Sequence, residues 1–407
     1  MEPAETGGLE PQRAVVGLFL FFGAMIAAFF PFFALFLSDK GLEPGEIGAV
    51  LAAMAAARIL TNPLWGHLAD TRYGRLFILR VGLLAGGSAA LALFVADGIA
   101  AVATVAFVFA AANAAVGPNV DAIALTHLGD ERMADYSRLR GLESLSYAIA
   151  CFLYGAILEA AGVRWSLPIF ALLGVAMLAW SFTLRRDAAS RLDHGGRLGS
   201  LGAVFREAPR FPFYLFSILL VWSGFNAAWN FYSLRIEQAG GGPFLVGFGA
   251  ALGGAVEVAV MFAVSKLHRR VGLRKTWVAG TFVYFVGFIL WGLVDDPRII
   301  SLLTVFEGVG FSLLFTSGVV IVGKLVPKSL YSTGQSVSVM VGFGVAPIIG
   351  AGVGGVVFGT LGPTWLFSIA GTTVLLGGLV GWFALSPPVF TRGLAGVEEP
   401  APPSDVL

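Results

Sequence analysis

Twelve long apolar runs constrain the fold of this chain more than any other feature. Each run holds about twenty or more residues, as at 15–37 and 276–294, and a helix of that length crosses the roughly 30 Å hydrocarbon core of a bilayer. Hydrophobic residues make up 57% of the chain and charged residues 13%, against about a quarter charged in soluble domains. We therefore expect an all-α membrane protein with twelve transmembrane helices, the first of them uncleaved.

The runs fall into two groups of six, separated by a basic, glycine-containing stretch. The turn that ends in Gly74 after the second run reappears after the eighth as the turn that ends in Gly272, displaced by about 198 residues. Parallel halves of this kind predict two bundles related by a pseudo-twofold axis, with a substrate site near the mid-plane between them. The predicted parts are a tail at 1–14, a six-helix bundle at 15–184, a linker at 185–212, a six-helix bundle at 213–386 and a tail at 387–407.

Lysine and arginine are distributed unequally between the two sides of the predicted membrane. With the N-terminus inside, the cytoplasmic flanks hold 21 of these residues and the opposite flanks hold four. Cytoplasmic flanks retain positive charge, so we expect both termini in the cytoplasm and a multi-pass location in the cell inner membrane. The formal net charge of +1 gives no indication of a nucleic-acid partner.

The loop after the second run carries a motif. Residues 66–75 read GHLADTRYGR and resemble the signature loop of the major facilitator superfamily, which implies a latch on the cytoplasmic side in the outward-open state. We expect Gly66 to permit close helix approach, Gly74 to make the turn, and Asp70 to meet a helix N-terminus or a neighbouring arginine. Arg72 and Arg75 are expected to face lipid phosphates.

Within that superfamily, three further segments are similar to the phenylpropionate-permease and nucleoside-permease-like branch of proton symporters. They are residues 118–122, 136–140 and 255–258. The resemblance implies proton-coupled symport. Leu142 and Glu143 stand where that branch usually has an aromatic residue and a glycine, so the substrate identity is not carried over.

Five ionisable side chains lie well inside the apolar runs: Arg58, Asp121, Glu143, Glu257 and Glu307. Each costs about 2.5–3.5 kcal/mol to place at mid-depth, which makes each a functional candidate. Glu257 and Glu307 fall near mid-depth and are the leading proton-coupling candidates, followed by Glu143 and Asp121. The alternative is a neutral or hydrogen-bonded acid that fixes helix packing.

Unpaired charge in the cytoplasmic half of the first bundle is costly, so partners are expected there. We predict at least one ion pair among Arg58, Asp121, Arg140 and Glu143, with a gating or a structural role. Arg140 and Glu143 also begin a polar stripe on the fifth run, which continues through Tyr147 at helical spacing.

Polar side chains share one face of the seventh predicted helix. Asn226, Trp229 and Asn230 have helical spacing, and together with Asn113 and Tyr147 they are the predicted substrate contacts, because a ligand pocket combines apolar walls with a few placed polar groups. The alternative is hydrogen bonding between helices. The 35 phenylalanines are expected to face lipid and the core.

The leading functional prediction is a secondary active transporter that takes up a small organic solute with protons by alternating access. A drug or metabolite efflux antiporter of the same superfamily is the first alternative, and a non-transporting membrane sensor is a distant one. No nucleophilic or phosphate-binding set suggests an enzyme, and neither Cys151 nor the four histidines predict a metal or cofactor site. The expected partners are the solute, protons and membrane lipids, and the expected state is a monomer.

Overall fold

The computed structural model describes residues 11–128, 133–184 and 200–386. Over these residues the chain is helical, and it contains twelve helical segments that are long and apolar enough to cross a membrane. This confirms the predicted all-α fold with two six-helix bundles.

Six spans build the first half, and the first and fourth of them each consist of two helices. A π-helical turn, Ala69–Tyr73, extends the second span, and the 3₁₀ turns Val163–Trp165 and Ser181–Thr183 flank the helix of the sixth. The helices are α1 (Pro11–Phe29), α2 (Phe33–Asp39), α3 (Pro44–Leu68), α4 (Arg75–Val95), α5 (Ile99–Asn113), α6 (Val116–Leu128), α7 (Met133–Ala161) and α8 (Ser166–Trp180).

The second half repeats the arrangement after a short helix that lies within the predicted linker. Its tenth span is divided between two helices, and a π-helical segment, Met340–Val345, interrupts the eleventh. The helices are α9 (Ser200–Glu207), α10 (Phe211–Gln238), α11 (Pro243–Val271), α12 (Leu273–Leu293), α13 (Pro297–Leu302), α14 (Thr304–Leu325), α15 (Tyr331–Val339), α16 (Ala346–Leu361) and α17 (Pro363–Ala384).

Local sequence explains where the spans begin. Proline is the first residue of α3, α11 and α17. The N–H groups of the first helical turn have no acceptor within the helix, so the N–H group that proline lacks is not needed there. Gly74 and Gly272 precede α4 and α12 with φ of 80° and 84°, a left-handed conformation that favours glycine. The helices α4 and α12 have 21 residues each, and their first residues, Arg75 and Leu273, preserve the predicted displacement of about 198 residues.

The helix ends differ in detail from the predicted parts. The fourth span, 99–127, consists of two helices, since α5 ends at Asn113 and α6 begins at Val116; Pro118, near the start of α6, has no N–H group with which to continue an unbroken helix. The second bundle begins at Phe211 rather than at 213, and α9 occupies part of the predicted linker. Most of both predicted tails and linker residues 185–199 lie outside the described residues.

The two halves meet at one end of the bundle. We call this end, where α3 and α11 begin, the Pro44 face, and the end with the turns at Gly74 and Gly272 the Gly74 face. At the Pro44 face α3 packs closely on α16: a methyl group on Gly48 would lie 2.8 Å from the Cα atom of Gly355. The Glu159 carboxylate also accepts a hydrogen bond of 2.9 Å from the Phe244 N–H group across the two halves.

The helices α7 and α11 form a second close contact between the halves, and a substitution there is expected to weaken the closure of the Pro44 face. A methyl group on Gly247 would lie 2.8 Å from the Cα atom of Gly155 and would also collide with the Cys151 carbonyl. Cys151 is the only cysteine of the chain and is fully buried. Overpacking costs about 1–3 kcal/mol, so Gly247→Ala is expected to speed maleimide labelling of Cys151 about tenfold.

The matched control for this experiment is Gly352→Ala. A methyl group on Gly352 would lie 3.8 Å from the Ala52 side chain, which is an ordinary contact, so labelling of Cys151 should keep its wild-type rate. Equal labelling rates in the two variants would contradict the role of the Gly155 and Gly247 contact in closing the Pro44 face.

Candidate functional site

A cavity of about 860 Å³ lies between the two halves. The first half contributes residues of α1, α3, α6 and α7, and the second half contributes residues of α10, α11, α14 and α16. Near the Gly74 face, the side chains of Asp121 and Arg140 are 36% and 47% exposed. Since the halves are in contact at the Pro44 face, the cavity opens toward the Gly74 face.

All five of the predicted intramembrane charges line this cavity, and Arg140 joins them. The first half supplies both arginines and two acids, and the second half supplies two acids without a base. The residues are Arg58, Asp121, Arg140, Glu143, Glu257 and Glu307.

Arg140 holds the two acids of the first half. Its guanidinium lies 3.0 Å from a Glu143 carboxylate oxygen and 3.4 Å from an Asp121 oxygen, so the structure contains the predicted ion pair. The Tyr136 hydroxyl donates a 3.0 Å hydrogen bond to the same Asp121 oxygen. Burial, followed by the nearby Asp121 charge, raises the pKa of Tyr136 to about 12, which keeps this hydroxyl a donor at physiological pH.

Glu257 and Glu307 form an acid pair without a base. The Glu307 side chain is 7% exposed, and one of its carboxylate oxygens lies 2.9 Å from the position of a methyl group on Gly253. Ser312 ties the two helices together by donating a 2.8 Å hydrogen bond to the Glu257 backbone carbonyl. Among the described residues, no lysine, arginine or histidine forms an ion pair with either carboxyl group. Burying an ionised acid without a partner is costly.

The predicted polar face of α10 also borders the cavity. Asn226, Trp229 and Asn230 line it, together with Tyr147 from the opposite half. The Asn226 amide donates to the Trp222 carbonyl at 2.8 Å, and Trp229 stacks against Tyr232 with ring centroids 5.5 Å apart. The Asn230 side chain has no hydrogen-bond partner in the described part of the chain, so its amide is available to a ligand.

Asn113 lies outside the main cavity. It borders a smaller adjoining cavity of about 360 Å³, the side pocket, which is lined by residues of the first half. Its amide donates to the Phe109 carbonyl at 2.9 Å and packs against Gly86. The predicted substrate contact at Asn113 therefore belongs to the side pocket and is separate from the polar face of α10.

Phenylalanine supplies much of the cavity wall, whereas these rings were expected to face lipid and the core. The rings come from both halves and surround the charged and amide side chains. They belong to Phe22, Phe29, Phe30, Phe33, Phe225, Phe311 and Phe343. Phenylalanine also occurs on lipid-facing and core positions of the same helices, so no spacing rule separates these rings from the others.

The signature loop lies at the Gly74 face and corrects two expectations. Arg75 does not face lipid: it pairs with Asp70 at 3.4 Å and donates to the Thr126 hydroxyl at 3.0 Å, which ties the loop to α6. Gly66 makes no close helix contact, since a methyl group there would meet open space. Arg72 is exposed, with its guanidinium 5.2 Å from the centre of the Tyr73 ring.

Comparison with known proteins agrees with this geometry. Maltose permease of Geobacillus stearothermophilus is 25% identical over 395 residues, which are 91% of this chain and 95% of the permease. The probable 3-phenylpropionic acid transporter of Escherichia coli K12 is 26% identical over 296 residues, which are 72% of this chain and 76% of the transporter.

Among solved structures, a mutant of the nucleoside transporter NupG has a TM-score of 0.83 at 16% identity and covers 93% of this chain and 100% of its own. At that identity the likeness shows the fold alone. The model of the MFS_1 like family matches residues 13–369. The chain therefore belongs to the MFS_1 like family and is a multi-pass membrane transporter of the major facilitator type.

Proposed function

We propose that this transporter is a proton-coupled symporter that brings a small organic solute into the cell by alternating access. The observation that carries the proposal is the acid pair of the second half. Glu307 is buried, Glu257 is half-buried beside it, and neither carboxyl group forms an ion pair among the described residues, although the Arg140 charge acts on Glu257 from a longer distance. If an acidic side chain must take up a proton before the cavity can close, then closure of the cavity depends on proton binding.

The coupling follows from the cost of closing the cavity. While the cavity is open, its water can solvate an ionised Glu257, which is half-buried, whereas Glu307 lines the same cavity but is already buried. Bringing the halves together at the Gly74 face would remove that water, so closure is favoured when the acids carry protons. Glu143 and Asp121 differ from this pair because both form ion pairs with Arg140, which offsets one of their two charges, and we assign them a supporting role in gating.

The solute is proposed to bind between the halves, against Tyr147 of the first and Asn226, Trp229 and Asn230 of the second. These side chains offer hydrogen-bonding groups beside aromatic surfaces, the usual composition of a small-molecule site. The named relatives carry a sugar in one case and an organic acid in the other, so both classes belong among the solutes to be tested.

The orientation, surroundings and assembly complete the proposal. We place the Gly74 face and both termini in the cytoplasm, because basic residues concentrate on that side. We further propose that the protein is a monomer in the inner membrane of the cell. The structure then corresponds to the inward-open state. In the outward-open state, the loop that contains Asp70 and Arg75 would latch the Gly74 face.

Transport into proteoliposomes under an imposed pH gradient tests this function. The solutes would be maltose, 3-phenylpropionate and a panel of further sugars, nucleosides and organic acids. We expect at least one solute to accumulate when the outside is more acidic and to leak out when an uncoupler is added. Accumulation only when the inside is more acidic would support the efflux antiporter, and accumulation that ignores the gradient would contradict proton coupling.

A further inference from the structure

We propose that the solute is an organic carboxylate whose charged group pairs with Arg58 and whose apolar arm enters the side pocket. This inference rests on the proposed transport function and names the substrate class of the same cavity. It starts from Arg58, which takes part in none of the ion pairs described above.

Arg58 lies at the junction of the two cavities. It borders both the main cavity and the side pocket, and its side chain is exposed to that space. The other cavity arginine, Arg140, has two carboxylate partners. Arg58 forms no ion pair, hydrogen bond or ring contact within the described ranges 11–128, 133–184 and 200–386.

An arginine within a membrane span is costly unless an anion compensates its charge. A planar guanidinium presents parallel N–H groups that match the two oxygens of a carboxylate. Asn62 lies one helical turn from Arg58 and also borders the side pocket, so a second donor stands on the same face of α3.

The side pocket fixes the class of the attached arm. Among the residues that the structure describes, its lining contains no aspartate or glutamate, and Arg58 is its one charged side chain. Phe29, Phe109 and Phe170 form a three-ring cluster in its wall, with centroids 4.8 to 5.9 Å apart. An apolar cavity of about 150 Å³ is large enough for benzene, so the 360 Å³ of the side pocket can hold a ring or a short alkyl chain.

The acids of the main cavity restrict where an anionic group can bind. Asp121, Glu143, Glu257 and Glu307 line the main cavity and are absent from the lining of the side pocket. A carboxylate bound at Arg58 would therefore lie at the edge of the main cavity, where the guanidinium has no ion-pair partner among the described residues. The same charge disfavours an ammonium group at this position.

Binding to the purified full-length chain in detergent tests the inference. The probes are monocarboxylates from acetate to phenylacetate and longer aryl and alkyl acids, each paired with its primary amide, which has nearly the same shape without the charge. We expect at least one aryl or alkyl acid to bind at least about tenfold more tightly than its amide, and more tightly than acetate, by calorimetry and by thermal shift.

Three variants locate the effect. Arg58→Gln is expected to abolish the difference between acid and amide, Arg58→Lys to keep part of it, and Arg269→Gln, which removes an exposed arginine at the end of α11, to leave it unchanged. Size-exclusion elution at the wild-type volume shows that each variant is folded, and the lysine variant carries the test if the glutamine variant is not.

Equal affinity for acids and amides, equal affinity for acetate and aryl acids, or an acid preference that survives in Arg58→Gln would each overturn the inference. So would the failure of every acid in the panel to bind. The binding assay involves no pH gradient, so its result does not depend on whether the vesicle experiments show proton coupling. In the same way, a negative binding result does not change the result of the vesicle experiments.

Discussion

Replacing Glu307 by glutamine is expected to abolish gradient-driven accumulation while preserving exchange of the solute. Glutamine has nearly the shape of a protonated glutamate but cannot release a proton, so the cavity should still close around the solute. An inward gradient of one pH unit supports a concentration ratio of about ten for one proton per solute. The ratio should fall from about ten in the wild type to one in Glu307→Gln.

Two assays on the same vesicles separate this outcome from a damaged protein. Counterflow of labelled solute, which needs no gradient, should continue in Glu307→Gln within a few-fold of the wild-type rate, and Glu207→Gln, a change of an exposed acid on α9, should accumulate solute normally. Loss of counterflow together with accumulation would assign Glu307 to binding or packing, and full accumulation would remove it from the coupling path.

Replacing Arg140 by glutamine is expected to have the second large effect. Asp121 and Glu143 would lose the guanidinium that lies 3.4 Å and 3.0 Å from their carboxylate oxygens, and two like charges would remain in one part of the cavity. Leaving such groups unpaired costs about 1–3 kcal/mol, toward the lower end because Arg140 is 47% exposed. The free energy of unfolding should fall by that amount, and transport should fall with it.

A double variant distinguishes lost pairing from lost packing. In Arg140→Gln with Glu143→Gln, one of the two unpaired charges is gone, so most of the lost stability should return, while Arg269→Gln serves as the control for removal of an exposed arginine. Stability that stays low in the double variant would show that the arginine acts through its packing and that the ion pairs contribute little.

The fold and the charged part of the site could be predicted from the sequence because membrane solvation makes both conspicuous. A run of apolar residues has few alternatives to a span, and an ionisable residue within a run is expensive unless it faces a cavity. The ionisable residues within the runs are Arg58, Asp121, Glu143, Glu257 and Glu307, and all of them line the cavity. The repeat was visible at Gly74 and Gly272 because both turns need the same backbone conformation.

The apolar part of the site could not be predicted in the same way. Phe225 and Phe311 line the cavity, while Phe213 and Phe282 are exposed on the outer surface of the bundle, and the sequence treats them alike because lipid and a cavity wall both accept an aromatic ring. The direction of Arg75 depended on Thr126, which is distant in the chain. Asn113 was predicted to contact the substrate together with the polar face of α10 but borders the side pocket, a distinction that requires the packing of several helices.

The most direct test of proton coupling follows protons instead of solute. Wild-type proteoliposomes with a trapped pH-sensitive dye and no imposed gradient would receive an external pulse of a solute that they accumulate under a pH gradient. Proton-coupled symport predicts acidification of the interior that grows with the solute pulse and is absent in Glu307→Gln. An interior that keeps its pH, or becomes more alkaline, while the wild-type chain takes up the solute would contradict it.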